Sequence, residues 1–516
     1  MLNHIFSPSS FLTKREGVMD SLFYLVGNSQ RLGESSLFKI VPLISCSLLG
    51  LLTLACLAGF TAFRAKFRPK GYSLPPGSFG WPLVGETLIR QRLGQLGKPE
   101  EYIKRRRLLY GKDIFKTSLL LQPVAVVCGP AANKFLFSNE NKLVVTWWTK
   151  SIQNVFPSSV LTSRGLHARP IKKLLTAFLK PEALQSYVGT MDSITQSFME
   201  TEWEGKEEIM VFPLLKLHSF VMASRIFTTI QDPNIVQNLT QQFHVLMDGI
   251  IEIPLNIPGT RYYRAMRARD VICRDLLSVI KQRRVALSAG TVSPTHDLLT
   301  SLLSTADENG RFLTEKEITD NILLLLFSAH GTTSSTIAML MRYLAEMPHI
   351  YEEILREQIG IAASKAPGEL LDWKDIRQMK YSWNTTCEVL RLSPPIEGTF
   401  REAITDLTYG GFDIPKGWKL FWSVHSSHKN PEYFPEPEKF DPSRFDGDGP
   451  APYTYVPFGG GPRRCPGYEY ARLEIMVFLH NLVKRFRWEP VFPNEKIKVD
   501  PLPVPVQGFP IRLRPR

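Results

Sequence analysis

Between Phe458 and Gly467 the chain reads Phe-Gly-Gly-Gly-Pro-Arg-Arg-Cys-Pro-Gly, a single cysteine, Cys465, set among glycines beside two cations. Neither a regular helix nor a strand tolerates that density of glycine and proline, so the segment has to be a turn-rich loop. Such a loop suits a sulfur that acts as a ligand. Gly461 and Gly467 let the backbone turn its amides toward the sulfur, Phe458 shields it from water, and Arg463 places a positive charge beside it. The plainer reading is a glycine-rich loop around a cysteine that behaves as a small hydrophobe. The other cysteines, Cys46, Cys56, Cys128, Cys273 and Cys387, show no paired short spacing, and two of them fall in an apolar stretch. Neither a disulfide framework nor a zinc site is expected, and a reducing compartment is implied.

Ile40 to Phe60 is 21 residues without a charge; at helical rise that is about 31 Å, the thickness of a bilayer's hydrocarbon core. A core helix of this length would carry a polar face, so the segment reads as a transmembrane anchor. Arg64, Lys66, Arg68 and Lys70 follow with no acid before Glu86, whereas the preceding segment mixes Lys14, Arg15 and Arg31 with Glu16, Asp20 and Glu34. That bias places residues 1–39 in the lumen and the C-terminal body in the cytosol. The long leader argues against a cleaved secretory signal, and Met19 is a second candidate start. Residues 61–85 form a basic and then Pro/Gly-rich linker, ending Leu74-Pro-Pro-Gly-Ser-Phe-Gly-Trp-Pro-Leu-Val-Gly85, too rich in helix breakers to continue the span and stiff enough to hold a body at a fixed tilt. Residues 86–516 are that body. The net charge of +13 suits an anionic membrane or an acidic protein partner. Without a zinc-finger or RNA-binding motif beside it, no nucleic-acid partner is expected. The run Lys104-Arg-Arg-Arg107 reads as a solvated or membrane-facing helix.

The body is mainly helical, an α+β chain in which helices dominate. Ile318 to Met347 has the length and apolar content of a long buried helix, stopped by Pro348; Tyr351 to Ala363 and Ile376 to Leu392 are amphipathic helices. Strands are expected at Ile114–Ser118, Val124–Cys128 and Leu407–Ile414, and Pro435–Pro457 is turn-rich. Glu388 and Arg391 share a helical face, which alone would be an ordinary ion pair. Thr332 and Thr333 in mid-helix can back-bond to the helix.

Taken together, these segments resemble microsomal cytochromes P450: the cysteine loop, the proline-rich hinge after an N-terminal anchor, Ser328-Ala-His-Gly331-Thr332-Thr333, Glu388 with Arg391, and Pro442-Ser-Arg444-Phe445. The finer resemblance is to plant P450s that oxidise triterpenoids, in one broad group with those acting on steroids and taxane diterpenoids. It rests on Asn133-Lys-Phe-Leu-Phe-Ser-Asn-Glu-Asn-Lys-Leu143 with Trp147-Trp148, Lys180-Pro-Glu-Ala-Leu-Gln-Ser-Tyr187, Leu392-Ser-Pro-Pro-Ile-Glu-Gly-Thr-Phe-Arg-Glu402 and Asp413-Ile-Pro-Lys-Gly-Trp-Lys419, and covers the body from about Leu74 onward.

The resemblance implies the P450 fold with an N-terminal anchor helix and a heme whose iron takes Cys465 as its axial ligand, shielded by Phe458 and held in the turn of Gly461 and Gly467. Arg463, Arg401 and Lys172 are the expected cations for the heme carboxylates, and Glu388, Arg391 and Arg444 a buried structural triad. Thr332 would be the alcohol that passes protons during dioxygen reduction. The family's acid before it is absent, Gly331 standing there, which leaves protons to water or His330, a slow or poorly coupled enzyme, or a chemistry without O2. Trp147, Trp148, Ala329, Ile396, Thr399 and Val504 would line an apolar pocket suited to a polycyclic hydrocarbon.

The implied activity is monooxygenation of a pentacyclic triterpenoid such as an amyrin or lupeol, in one step or successively to aldehyde and acid. Electrons would come from NADPH through a P450 reductase docked on a basic face including Lys172, Lys173 and Arg464, at the endoplasmic reticulum membrane. Three alternatives stand beside it: oxidation of a taxane-type diterpenoid or a sterol, an O2-independent heme-thiolate isomerase or dehydratase, and a membrane protein that binds heme without catalysis. Asn238-Leu-Thr240 and Asn384-Thr-Thr386 are glycosylation sequons that a cytosolic body leaves unused.

Overall fold

The computed structural model describes residues 69–516 apart from 82–83, 165–167, 231, 294–295 and 308–309, together with scattered positions between Ser47 and Phe67. The expected lumenal segment and most of the 40–60 span lie outside the described residues; Leu51 and Leu54, within it, are helical and exposed. The chain divides into two compact units, Met1–Gly71 and Tyr72–Arg516.

The site-forming helices of the second unit are α1 (Gly129–Ser138), α2 (Ala168–Leu179), α3 (Val211–Thr228), α4 (Pro233–Gly249), α5 (Arg261–Ser288), α6 (Glu315–Glu346), α7 (Lys380–Leu392) and α8 (Tyr468–Arg485). The longest, α6, begins earlier than its apolar pattern because Thr314 and Glu317 form a reciprocal capping box, a device that contributes about 1 kcal/mol. Its most apolar stretch is 83% buried, so this helix, long and apolar enough to cross a membrane, is a core helix. It packs on α3, α5, α7 and α8. The expected Ile376–Leu392 helix is two helices, Trp373–Gln378 and α7. Met379 at ψ 56 interrupts them, and Asp372 and Asp375 cap the first reciprocally.

Five strands, β1 (Ile114–Leu119), β2 (Gln122–Val127), β3 (Val144–Trp147), β5 (Gly398–Ala403) and β8 (Lys419–Ser423), form one sheet in the order β1-β2-β8-β5-β3. The smaller sheets pair β4 (Glu208–Met210), β12 (Pro510–Pro515) and β9 (Phe486–Pro490), and β10 (Ile497–Val499) with β11 (Pro503–Pro505). The expected Leu407–Ile414 strand is a hairpin of β6 (Leu407–Tyr409) and β7 (Phe412–Ile414). Gly410 and Gly411 at φ 60 and 80 take the two left-handed positions of its turn.

The linker docks on the edge of the large sheet. Lys116 donates its backbone N–H to Pro76 at 2.7 Å and its Nζ to Pro75 at 2.6 Å, and Gly77 bridges Lys116 in parallel. Just beyond, the buried Glu86 carboxylate accepts from Thr117 Oγ1 (2.6 Å), Tyr102 Oη (2.9 Å) and Arg106 Nε (2.9 Å). The run Lys104–Arg107 is thereby accounted for: Lys104 and Arg105 pair with Glu101, Arg106 with Glu86, and Arg107 with Asp113.

Where α3, α6 and α8 meet, Glu474, His218, Ser219, Thr333 and Tyr470 are all buried. His218 Nε2 and Thr195 Oγ1 are 3.0 Å apart, but its Nδ1 stays 3.8 Å from Glu474 Oε1, beyond hydrogen-bond range. Burial pushes Glu474 up to about 8, only partly opposed by the Ser219, Tyr470 and Thr333 hydroxyls nearby, and pushes His218 down to about 3. Both are therefore neutral at neutral pH. Between the ordinary value of 4.5 and about 8 the folded protein holds a proton on Glu474 that the unfolded chain has released, so stability falls as pH rises through that window. Glu474→Gln, which keeps the neutral shape, should remove this slope. Melting curves at pH 5.5 and 8 should show the wild type losing more stability than the variant, by up to about 1.4 kcal/mol per pH unit; parallel losses would refute the assignment.

Candidate active site

The irregular run that leads into the loop around Cys465 is held by a buried charge cluster. Arg391 and Glu388 on α7 have no exposed surface and pair in two contacts, Nε to Oε2 at 2.6 Å and Nη2 to Oε1 at 2.8 Å. The remaining Arg391 donors reach the carbonyls of His428 (2.8 Å), Pro437 (2.7 Å) and Lys439 (3.3 Å), while Glu388 also accepts the Asp441 N–H at 2.9 Å. Arg444 Nε lies 3.4 Å from Glu388 Oε1. Three residues named from sequence thus come together, and the backbone they satisfy is the irregular run that leads into the loop. Loss of one partner leaves a buried charge unpaired, a cost of about 3–5 kcal/mol.

Within the loop, Cys465 donates its N–H to the Phe458 carbonyl at 3.0 Å, closing the turn. Phe458 packs edge-on to Tyr468 with ring centroids 4.9 Å apart. Gly461 sits at φ 61, and a Cβ there would collide with the Phe137 carbonyl of α1. Gly467 has φ −85, open to any residue, and its role is different: it is the N-cap of α8, its amide faces the Cys465 sulfur, and a Cβ would stand 3.8 Å from that sulfur. Burial raises the Cys465 thiol pKa, while the Gly467 amide and the charges of Arg464 and Lys172 pull it down. The N-terminus of α8 adds a positive dipole end beside the sulfur. Among the described cysteines Cys465 is the one with accessible surface, although the protein packed around it desolvates its sulfur. Burial holds Cys128 and Cys387 at about 12 and Cys273 at about 11, which makes them inert.

The three expected carboxylate-binding cations converge on this loop with an acid that the sequence did not mark. Arg401 Nε lies 2.6 Å from Glu140 Oε2, and Arg463 Nε 3.3 Å from Glu140 Oε1. Arg463 also donates to the carbonyls of Val160 (3.0 Å) and Ser163 (2.7 Å), and Arg401 to Thr399 Oγ1 (3.0 Å). Lys172, on α2, donates to the Pro462 carbonyl, so it faces the cysteine loop. Nothing local distinguishes Glu140; its partners arrive from far along the chain.

On α6, Ala329 is buried and Thr332 half-buried, its hydroxyl donating to the Ser328 carbonyl at 2.6 Å. His330 faces Phe220 and His244, both ring centroids 6.1 Å away, with neither ring nitrogen hydrogen-bonded. Burial lowers it to about 3, so it is neutral and holds no proton to give at neutral pH. A Cβ at Gly331 would press on Leu502 Cδ1 at 2.8 Å, which puts the hairpin of β10 and β11 where a longer side chain would go. Trp147 packs edge-on to Phe400 across β3 and β5, centroids 5.4 Å apart, under Lys419. Trp148 and Val504 pack on the main core. Ile396 is exposed, and Thr399 accepts from Trp422 Nε1 at 3.0 Å as well as from Arg401. Trp147 and Thr399 are therefore held by neighbours in the sheet.

The donor set fits a heme. Among the described residues no three His, Cys, Asp or Glu side chains are placed to hold a bare metal ion. A lone sulfur facing a glycine amide at a helix N-terminus instead suits a metal that brings its other ligands with it. Arg401 Nε, buried and without hydrogen-bond geometry to Glu140, belongs to a cation with donors to spare for carboxylates.

The cytochrome P450 family profile matches residues 75–509. A beta-amyrin 28-monooxygenase of Vitis vinifera is 54% identical over 445 residues, 86% of this chain and 93% of its own. A protein of the same name from Solanum lycopersicum is 54% identical over 448 residues, covering 87% and 94%. Among solved structures, a retinoic acid-bound cyanobacterial P450 superposes with TM-score 0.78 at 33% identity, over 86% of this chain and all of that one.

The two glycines make opposite predictions. Gly461→Ala should lower the melting temperature, since a left-handed backbone position costs about 1–3 kcal/mol for a residue with a Cβ and the Phe137 carbonyl must also move. Gly467→Ala should leave the fold's melting temperature near that of the wild type. Equal losses in both would mean that the turn is not what demands glycine at Gly461.

Proposed function

The chain belongs to the cytochrome P450 family, and on that premise we propose that it is a heme-thiolate monooxygenase oxidising a pentacyclic triterpenoid. The observation that carries the substrate class is the pair of relatives named for β-amyrin oxidation, each 54% identical along nearly their whole length. The carbon numbered 28 in their names is the position we assign, with successive rounds there giving alcohol, aldehyde and acid.

When bound, the heme supplies the oxidising chemistry: O2 is activated and one of its oxygen atoms enters an unactivated C–H bond. Cys465 would be the protein's ligand to the iron, with the Gly467 amide at the α8 N-terminus facing its sulfur and favouring its anionic form against burial. Arg401, Arg463 and Lys172 would hold the carboxylates, and Phe458, whose carbonyl accepts the Cys465 N–H, would be the apolar neighbour of the sulfur. Thr332 is the hydroxyl that hands protons inward. With Gly331 carrying no acid and His330 neutral against Phe220 and His244, those protons travel by water along α6. Apolar walls from Ala329, Val504 and Trp148 orient the hydrocarbon, so the protein selects the carbon.

Electrons would come from NADPH through a membrane-bound reductase, whose acidic face would meet Lys172, Lys173 and Arg464. Residues 40–60 would anchor the protein in the endoplasmic reticulum membrane with the body in the cytosol. A fusion of residues 1–71 to a soluble fluorescent protein should resist carbonate extraction; release into the supernatant would remove the anchor.

Co-expression with a plant P450 reductase in yeast making β-amyrin, α-amyrin or lupeol tests the activity. An oxygenated product that disappears in Cys465→Ala is the expected result. A reduced carbon-monoxide band near 450 nm, as a thiolate-bound heme gives, without any product would refute the substrate class and leave the ligation standing.

A further inference from the structure

We propose that Glu140 is a positioning residue for the heme carboxylates, one carboxylate that holds Arg401 and Arg463 side by side and sets the charge they present. The inference rests on the heme-thiolate reading above and goes beyond it, because Glu140 touches neither the sulfur nor the assigned pocket.

Glu140 leaves α1 and turns into β3, where it is 4% exposed, with Arg401 equally buried. Its two oxygens are divided between the two cations: Oε2 faces Arg401 at 2.6 Å, while Oε1 faces Arg463 at 3.3 Å and accepts the Thr146 N–H at 3.1 Å. The carboxylate is thus fixed to the sheet and cannot swing toward either arginine alone. Two guanidiniums this close and this dry repel one another. Burial, and to a smaller extent Arg463, lower the Arg401 pKa, and Glu140 raises it; the same opposition acts on Lys172. Glu140 offsets that repulsion, with one carboxylate oxygen facing each guanidinium.

The charge count gives the arrangement a purpose. Arg401, Arg463 and Lys172 with Glu140 carry a surplus of two positive charges, equal and opposite to the two carboxylates of a heme. Without Glu140 the surplus would be three, and the extra charge would favour the reduced, less positive state of the iron.

The test is the reduction potential of the purified, heme-loaded full-length protein. Glu140→Gln should raise it, increasing the ratio of reduced to oxidised heme at a fixed poise by about three- to tenfold, and Glu140→Asp, which keeps the charge, should restore most of the wild-type value. Lys172→Gln, at a half-buried position, should move the potential the opposite way by removing a cation, and if Glu140→Gln does not fold, Glu140→Met, which removes the same charge at similar volume, takes its place. A thiolate-type carbon-monoxide spectrum with an unmoved potential in the variants that fold would overturn the role of Glu140. Loss of the thiolate band in the wild type would instead overturn the heme-thiolate reading itself.

Discussion

One arginine and one glutamate without water around them, Arg391 and Glu388, make the rest of the site possible. A loop has no ladder or helix to satisfy its own backbone, so it is mobile unless something else does. Here the guanidinium takes three carbonyls between His428 and Lys439, and the carboxylate takes an amide at Asp441. The irregular run from His428 to Asp441, which leads toward the cysteine loop, is thereby fastened to the side chains of a helix. An apolar substitute of equal volume could match the stability, but it could not make these directed bonds.

Buried carboxylates of the same type behave differently according to what surrounds them. Glu388 has a guanidinium in two-point contact and stays part of an ion pair; Glu140 is shared between two cations; Glu474 has only hydroxyls and a neutral imidazole nearby and keeps its proton. The difference lies in whether the fold brings a cation within reach of the carboxylate.

That dependence on neighbours explains what the sequence disclosed. The α6 helix, the β1–β2 hairpin and the cysteine loop are legible because their signals are local: apolar content, β-branched clusters, glycine and proline. The Glu388–Arg391 pair is legible as a helical spacing, and its burial only through resemblance. Glu140 and Glu474 are silent, since the cations around Glu140 and the Ser219 and Thr333 hydroxyls near Glu474 arrive from far along the chain. The same holds at smaller scale for Leu407–Ile414, where β-propensity is right and the Gly410-Gly411 turn signal outweighs continuity. Thr399 is visible as a pocket candidate, but its bonds to Trp422 and Arg401 depend on strand register.

The docking of residues 75–77 on β1 has a practical side. β1 is the outer strand of the five-stranded sheet, and an uncovered outer strand is a template for pairing with another molecule. The proline-rich segment covers part of that edge with residues that offer few donors to continue a ladder. Where the body is cut for expression is therefore a question of colloidal behaviour: a version starting at Tyr72 keeps its sheet sealed, while one starting at Thr87 would bare the strand and invite self-association.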